Sequence, residues 1–249
     1  MADITEYFSM QGRVYLGLRN ADGSRQPARW VYDSSTLNWA MTSERAEKTE
    51  SNTGVRGVAA TMKTSRSMAV NLTLGQLNTD NLALATDGTR IEVAAGTVTN
   101  EVLGSVKAGD VIALDYAVVS DLALVDGTAA PLVAGTDYEL NPKTGILQFF
   151  TTKAGVKAST YDYGAHSIVT AMSALSRDYY VLFDGLNSVD GAEMVCRGEV
   201  HRVSFSPAGE LGFIQDEFGQ IELEGQAKSD PFRQRDPKWG PFARAMLIG

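Results

Sequence analysis

Alternation of apolar and polar residues is the pattern that most limits how this chain can fold. Met68, Val70, Leu72 and Leu74 alternate with small or polar residues, and the run from Leu37 to Met41 repeats the pattern. Because successive side chains of a strand point to opposite faces, such runs bury one face and expose the other. Similar short runs recur in the last third of the chain. The sequence therefore predicts a mainly β fold, a sandwich or a barrel.

One segment favours a helix instead. After Gly75 the chain reads QLNTDNLALATDG, in which Asn78 or Thr79 can cap a helix and Asp80 is well placed against its dipole. Gly88 provides a stop. We therefore predict a single helix beside the β structure.

The composition changes between residues 89 and 165. Short strands are separated there by Gly, Asp and Pro turns, and Pro142 and Gly145 occupy the positions that a hairpin turn favours. We predict a discontinuous main domain, residues 1–88 and 166–249, interrupted by an inserted small β module at residues 89–165.

Composition excludes several classes of protein. Of 249 residues, 22 are Lys or Arg and 30 are Asp or Glu, which gives a net charge of −8. An acidic surface argues against tight binding of nucleic acid through its phosphates. One cysteine and two histidines exclude a disulfide framework, a cysteine-based zinc site and a histidine-rich metal site. No run approaches the roughly 18 apolar residues of a membrane span, and the opening residues, with Asp3 and Glu6, do not read as a secretory signal.

Motifs for catalysis are absent from the sequence. It has no nucleophile elbow, no phosphate-binding loop, no dinucleotide-binding glycine pattern and no zinc-protease motif. We interpret His201 as a strand histidine with a structural hydrogen bond and Cys196 as a small buried residue. We therefore expect no enzyme activity, no metal and no cofactor.

Two segments do not fit the β pattern. Residues 43–66 show no clear period and are predicted to form a long loop, and residues 229–249 combine three prolines with aromatic residues. Each segment carries a net charge of about +2, which leaves −12 on the rest of the chain. Identical subunits can pair such basic segments with an acidic body in a head-to-tail manner. The alternative, that both are solvated surface segments, stays open.

We name specific residues of these two segments as candidates for contacts between subunits. In the predicted loop they are Arg45, Glu47, Lys48, Glu50, Arg56 and Lys63. In the C-terminal segment they are Phe232, Arg233, Arg235, Trp239 and Phe242.

Acidic residues are concentrated between Glu199 and Gly225, where six acids accompany a single base, Arg202. Glu222 and Glu224 share one face of a predicted strand, opposite two apolar residues. One interpretation is an ordinary exposed strand. The other is a negative wall that repels a polyanion, for which the candidates are Glu199, Glu217, Glu222 and Glu224.

The opening YFSMQGRVYL, Tyr7 to Leu16, resembles the start of major tail tube proteins of long-tailed bacteriophages. The strand near Leu37–Met41 followed by ERAEKTES, the strand Met68–Leu74 and the phrase LNTDNLALA at Leu77–Ala85 are also similar to that family. The resemblance covers residues 4–88 well and 166–249 loosely. Residues 89–165 have no counterpart in it.

This resemblance implies a β-sandwich or barrel with one flanking helix, which assembles into hexameric rings stacked as a tube. It implies a virion tail protein, assembled in the host cytoplasm, whose acidic lumen conducts DNA during ejection. The partners implied are further copies of the chain, other tail proteins and DNA in transit, with no membrane segment. The long loop would contact neighbouring subunits, and the insertion would lie on the outer wall.

Three other functions remain open from the sequence. A secretion-system tube protein shares the ring architecture. A β-sandwich binding or adhesion module, for example one that binds sugars, would fit residues 89–165 but leaves the two basic segments unexplained. An enzyme has no motif to support it.

Overall fold

The computed structural model describes residues 7–52, 54–189 and 194–248. The opening residues that we judged not to be a secretory signal lie outside this range. The chain divides into two compact units, one running to Thr89 and resuming at Val169, the other running from Arg90 to Ile168. The predicted insertion, residues 89–165, falls within the second unit except for its first residue.

The described residues form sixteen strands and one α-helix, which confirms the predicted mainly β fold. In chain order they are β1 (Met10–Leu18), β2 (Arg29–Trp30), β3 (Ser34–Thr49), β4 (Val58–Leu74), α1 (Thr79–Ala85), β5 (Thr89–Val93), β6 (Gly96–Val106), β7 (Val111–Ala113), β8 (Val119–Val125), β9 (Tyr138–Asn141), β10 (Ile146–Phe149), β11 (Lys153–Tyr163), β12 (His166–Thr170), β13 (Tyr179–Asn187), β14 (Val195–Phe205), β15 (Ile221–Ala227) and β16 (Ala243–Ile248). Among them, no helix is long and apolar enough to cross a membrane.

The first unit is built on one antiparallel sheet in the order β2-β1-β13-β14-β15-β4-β3, with β16 paired to β14. Its end strands, β2 and β3, are joined by residues 31–33, which span at most about 14 Å. The sheet must therefore curl until its two edges come together. Accordingly, Trp39 of β3 lies beside Gly198 of β14, where an added Cβ would meet the indole at 3.2 Å.

The concave side of this curled sheet holds the core of the first unit. The alternating residues of β4 that suggested a strand, Met68 to Leu74, supply four of its buried side chains, and Leu223 of β15 packs with them. Cys196 is also buried, as expected. The alternation therefore places the opposite face of β4 and β15 towards the outside.

Helix α1 begins where the sequence predicts. The Asn78 side chain accepts a hydrogen bond from the backbone N–H of Asn81 at 2.8 Å and so caps the first turn. The Asn81 side chain is fully buried, donates to the carbonyl of Val31 and accepts from Arg29. These contacts hold the helix to the chain that links β2 to β3.

The second unit has its own core between two three-stranded sheets, β7-β10-β9 and β6-β11-β8. Leu147, Phe149, Val156 and Tyr161 are completely buried in it. Strands β5 and β12 form a separate two-stranded sheet.

The prediction of a long loop over Ser43–Arg66 is wrong. This segment is most of a hairpin in which β3 runs on to Thr49 and β4 begins at Val58. Sequence reasoning missed it because both faces of the hairpin are exposed, so neither strand shows the alternation of a half-buried strand. The C-terminal segment also contains a strand that the sequence did not predict, since β16 follows the last of its prolines.

Candidate assembly surfaces and acidic face

The hairpin of β3 and β4 extends beyond the sheet that carries it. Strand β15 pairs with β4 only from Met68 to Leu74, and residues 42–49 and 58–67 pair with each other alone within the described chain. Every side chain in those two stretches is exposed. We call residues 42–67 the hairpin arm. A two-stranded hairpin is at best marginally stable in water, and its open edges are templates for pairing.

All six candidate residues of the predicted loop lie on the hairpin arm. Arg45, Glu47 and Lys48 are on β3 and Lys63 is on β4, while Glu50 and Arg56 flank the turn. In the strand register Arg45 lies opposite Lys63. Like charges placed directly opposite each other destabilise a strand pair, and an acidic partner would relieve this repulsion.

The convex face of β15, β4 and β3 carries carboxylates and small uncharged side chains. Glu222, Glu224 and Gln226 point outward from β15, whereas Ile221 and Leu223 are buried. The register places Thr73, Asn71 and Ala69 of β4 beside them, followed by Thr36, Asn38 and Ala40 of β3. None of these nine positions holds Lys or Arg. We call this surface the acidic face.

The loop between β14 and β15, residues 206–220, borders the acidic face. Glu210, Gln215 and Gln220 form a polar recess together with Glu222 and Glu224. Glu217, another wall candidate, is exposed on the same loop. The loop also exposes three large apolar side chains, and two of them, Phe213 and Ile214, suggest a short strand in the sequence, whereas the structure places them in this loop. The close spacing of these apolar residues between Gly212 and Gly219 is the sequence signal that could have indicated an exposed apolar cluster.

Glu199 does not belong to the acidic face. The prediction that it is exposed on a negative wall is therefore wrong. Its side chain is fully buried beneath arginines, on the side of β14 away from the core. Its carboxylate accepts from Arg244 at 2.9 Å and Arg25 at 3.3 Å, and Arg197 lies 2.6 Å away. Burial acts to raise the pKa of Glu199, but the bond from Arg244 and the nearby positive charges outweigh it, and the pKa is lowered.

The C-terminal segment covers the site around Glu199. The Trp239 ring lies beneath two guanidinium groups, those of Arg233 and Arg244, at 4.3 and 3.4 Å from its centroid. Phe242 packs against the core. Phe232 and Arg235 lie further out, and Phe232 is 62% exposed. Of the five predicted C-terminal candidates, Trp239, Phe242 and the half-buried Arg233 thus lie inward, whereas Phe232 and Arg235 lie on the outer surface.

His201 makes the structural hydrogen bond expected of it. Its Nε2 lies 2.9 Å from the Trp239 carbonyl oxygen, to which it donates, so Nδ1 is left to accept from Arg233 at 3.3 Å. Burial lowers the pKa of His201, and the positive charges of Arg233 and Arg25 lower it further. The neutral imidazole is therefore the form that this site stabilises.

A second buried ion pair fixes the start of the same segment. Arg19 donates to Asp230 at 2.7 Å, and both side chains are almost completely buried. Asp230 also accepts from the backbone N–H of Phe232. The C-terminal segment is therefore held at both ends by charged contacts to the body of the first unit.

Comparison with known proteins gives a family for this chain. A family model described as "Protein of unknown function UCP028589" matches residues 7–246. The chain belongs to this family. No curated protein matches it. The UCP028589 match runs through both units and includes the hairpin arm, the acidic face and the C-terminal segment as far as residue 246.

Proposed function

We propose that this protein is a structural subunit that assembles with copies of itself into a tube, and that the tube conducts DNA in a bacteriophage tail. The hairpin arm is the observation that carries the proposal. It holds two strand edges and a row of charged side chains away from the body, at a cost that only a partner offsets. We take this partner to be a second copy of the chain, because a structural subunit is surrounded by further copies at high local concentration.

The distribution of charge supports the proposal that the hairpin arm contacts another copy of the chain. The arm has a surplus of bases, whereas the chain as a whole has a net charge of −8. A basic projection that meets an acidic body is a contact between unlike surfaces, and such contacts close into rings or continue as stacks. The sequence resemblance to tail tube proteins adds hexameric rings to this arrangement.

The acidic face supports the conduction of DNA. DNA binds proteins through phosphates held by Lys and Arg, and each such contact would slow its passage. Nine neighbouring outward positions without a base, two of them carboxylates, offer DNA no cationic side chain to hold its phosphates. Because the Debye length is about 8 Å at physiological ionic strength, only charges that line the path would act on the DNA.

The size of the particle tests the proposal directly. We expect light scattering of concentrated protein to show species many times larger than the 26.8 kDa chain. Negative-stain microscopy of the same sample should show rings or tubes with an open channel. A strict monomer at all protein and salt concentrations would refute the proposal.

A further inference from the structure

An apolar groove with a basic rim lies at the base of the hairpin arm. It encloses about 480 Å³ between β3, β4 and the start of β16. Its lining includes Trp39, Met41 and Phe242, and the charged side chains that line it are Lys63, Arg66 and Arg244. We call it the basic groove. Since no acid is part of its lining, it suits a ligand that is apolar at its centre and negative around it.

The loop of residues 206–220 has the opposite character, and we call it the aromatic loop. Phe218 is 100% exposed, Ile214 98% and Phe213 77%. Its charged residues are all acids, Glu210, Asp216 and Glu217, and all are exposed. Large apolar side chains clustered in this way mark an interaction surface.

The basic groove lies at the middle of strand β4, whereas the aromatic loop ends beside the C-terminal end of that strand. Arg66 lines the groove, whereas Leu74 pairs with Ile221, the residue at which the aromatic loop ends. Leu74 is eight positions after Arg66, which corresponds to about 27 Å along an antiparallel strand. The loop of one subunit lies against its own acidic face, away from its own groove.

We propose that the aromatic loop of one copy of this chain binds in the basic groove of the next copy. Ile214 and Phe218 contact the apolar lining, while Asp216 and Glu217 face Lys63 and Arg66. The two surfaces match in polarity and in charge, and because they are different surfaces of the chain, the contact is head-to-tail. The inference rests on the proposed function in that it needs self-assembly, and it names the contact responsible.

Two charge-reversal variants test the pairing. The groove variant combines Lys63→Glu with Arg66→Glu, and the loop variant combines Asp216→Lys with Glu217→Lys. Each should raise the concentration needed for assembly by about tenfold or more, because like charges then meet across the contact. A matched control, Lys107→Glu with Lys143→Glu, reverses two exposed lysines of the second unit and should assemble as the wild type does. Circular dichroism should show the same β signal and melting transition for all of them.

Mixing the two variants gives the decisive measurement. In an equimolar mixture each groove meets a loop of opposite charge, so assembly should return and the two variants should alternate. Folded variants that assemble as readily as the wild type would overturn the inference and leave the proposed function standing. Variants that fail singly and also fail when mixed would overturn it too. A wild-type protein that never assembles would instead refute the proposed function itself.

Discussion

The guanidinium group of Arg244 lies over the indole ring of Trp239, with its Cζ atom 3.4 Å from the ring centroid. The same guanidinium donates to Glu199 of β14 at 2.9 Å. Arg244 belongs to β16, so one side chain joins the C-terminal strand, the preceding proline-rich segment and the central sheet. The C-terminal segment is therefore part of the folded body of the subunit.

Trp239→Ala should lower the free energy of unfolding by about 2–3 kcal/mol, because it removes a half-buried ring with two cation–π contacts and leaves a gap beside His201. Urea denaturation followed by circular dichroism measures this. Phe232→Ala in the same segment is the matched control and should cost no more than about 1 kcal/mol, since that ring is mostly exposed. Equal losses for the two variants would contradict the packing described for Trp239.

Glu199→Gln should destabilise the fold by about 3 kcal/mol, because it leaves arginines gathered around a neutral side chain. Glu222→Gln should change stability by less than about 0.5 kcal/mol, since Glu222 is exposed. Thermal melts of the two variants at neutral pH provide the comparison. A negligible effect of Glu199→Gln on stability would contradict the buried position of Glu199 and indicate that it is exposed to solvent.

Acidification should loosen the C-terminal segment through His201. Its pKa is lowered from 6.5 in the folded state, so the unfolded chain binds the proton more readily. The stability that the neutral ring contributes is complete above pH about 6.5 and falls as pH drops below it. Glu199 acts in the same direction at lower pH, because its folded pKa also lies below its ordinary value.

We expect His201→Gln to flatten the dependence of stability on pH between about 7 and 5. His166→Gln is the matched control, since it makes the same substitution at the other histidine of the chain. Urea midpoints measured at half-unit steps of pH would show the difference. If both variants retain the same slope, His201 is not the group responsible.

The sequence predicted those elements that bury one face. The patterns of Met68–Leu74 and Ile221–Leu223 indicate strands because about half of their side chains enter the core. Asn78 indicates the start of the helix because its side chain caps the first turn. The hairpin arm gave no such signal, since a strand solvated on both faces has no apolar period.

The buried position of Glu199 could not be predicted either. Arg197 is two residues away on the same strand, but Arg25 and Arg244 come from distant parts of the chain, and only the fold brings them to Glu199. In a strand of alternating polar and apolar residues, a carboxylate is expected on the exposed face. The sequence does not reveal that the C-terminal segment covers Glu199. The aromatic loop was missed for a related reason, because its apolar residues have no regular period and resemble a fragment of a strand.

Removing the hairpin arm should separate folding from assembly. Thr42 and Ser67 are paired residues, so an Asn-Gly turn that replaces residues 43–66 can close the shortened hairpin. The core strands keep their pairs, so the variant should fold with a melting temperature close to that of the wild type and remain a monomer. Light scattering and thermal melts are the measurements. Normal polymers from this variant would make the arm a tolerated surface projection.

Charge reversal on the acidic face should convert it into a DNA-binding surface. Glu222→Lys with Glu224→Lys places two bases among uncharged neighbours, so assembled protein should retain double-stranded DNA at low salt and release it as salt rises. Glu222→Gln with Glu224→Gln is the control, because it removes the negative charge without supplying a positive one. Fluorescence anisotropy with labelled DNA, together with microscopy of the particles, measures both effects. No gain of binding in intact particles would place these residues away from the path of the DNA.

If the proposed contact joins the basic groove of one copy to the aromatic loop of the next, any stack of these subunits has a front and a back, because the two surfaces differ and lie at different places on the chain. One terminus of the column presents only unfilled grooves and the other only unfilled loops. A protein that starts the column and a protein that caps it must therefore differ in chemistry: one offers an acidic segment with exposed aromatic residues, the other an apolar cleft ringed by bases. Directional growth, and the recognition of each terminus by a different partner, would follow from a contact between two unlike surfaces of the same chain.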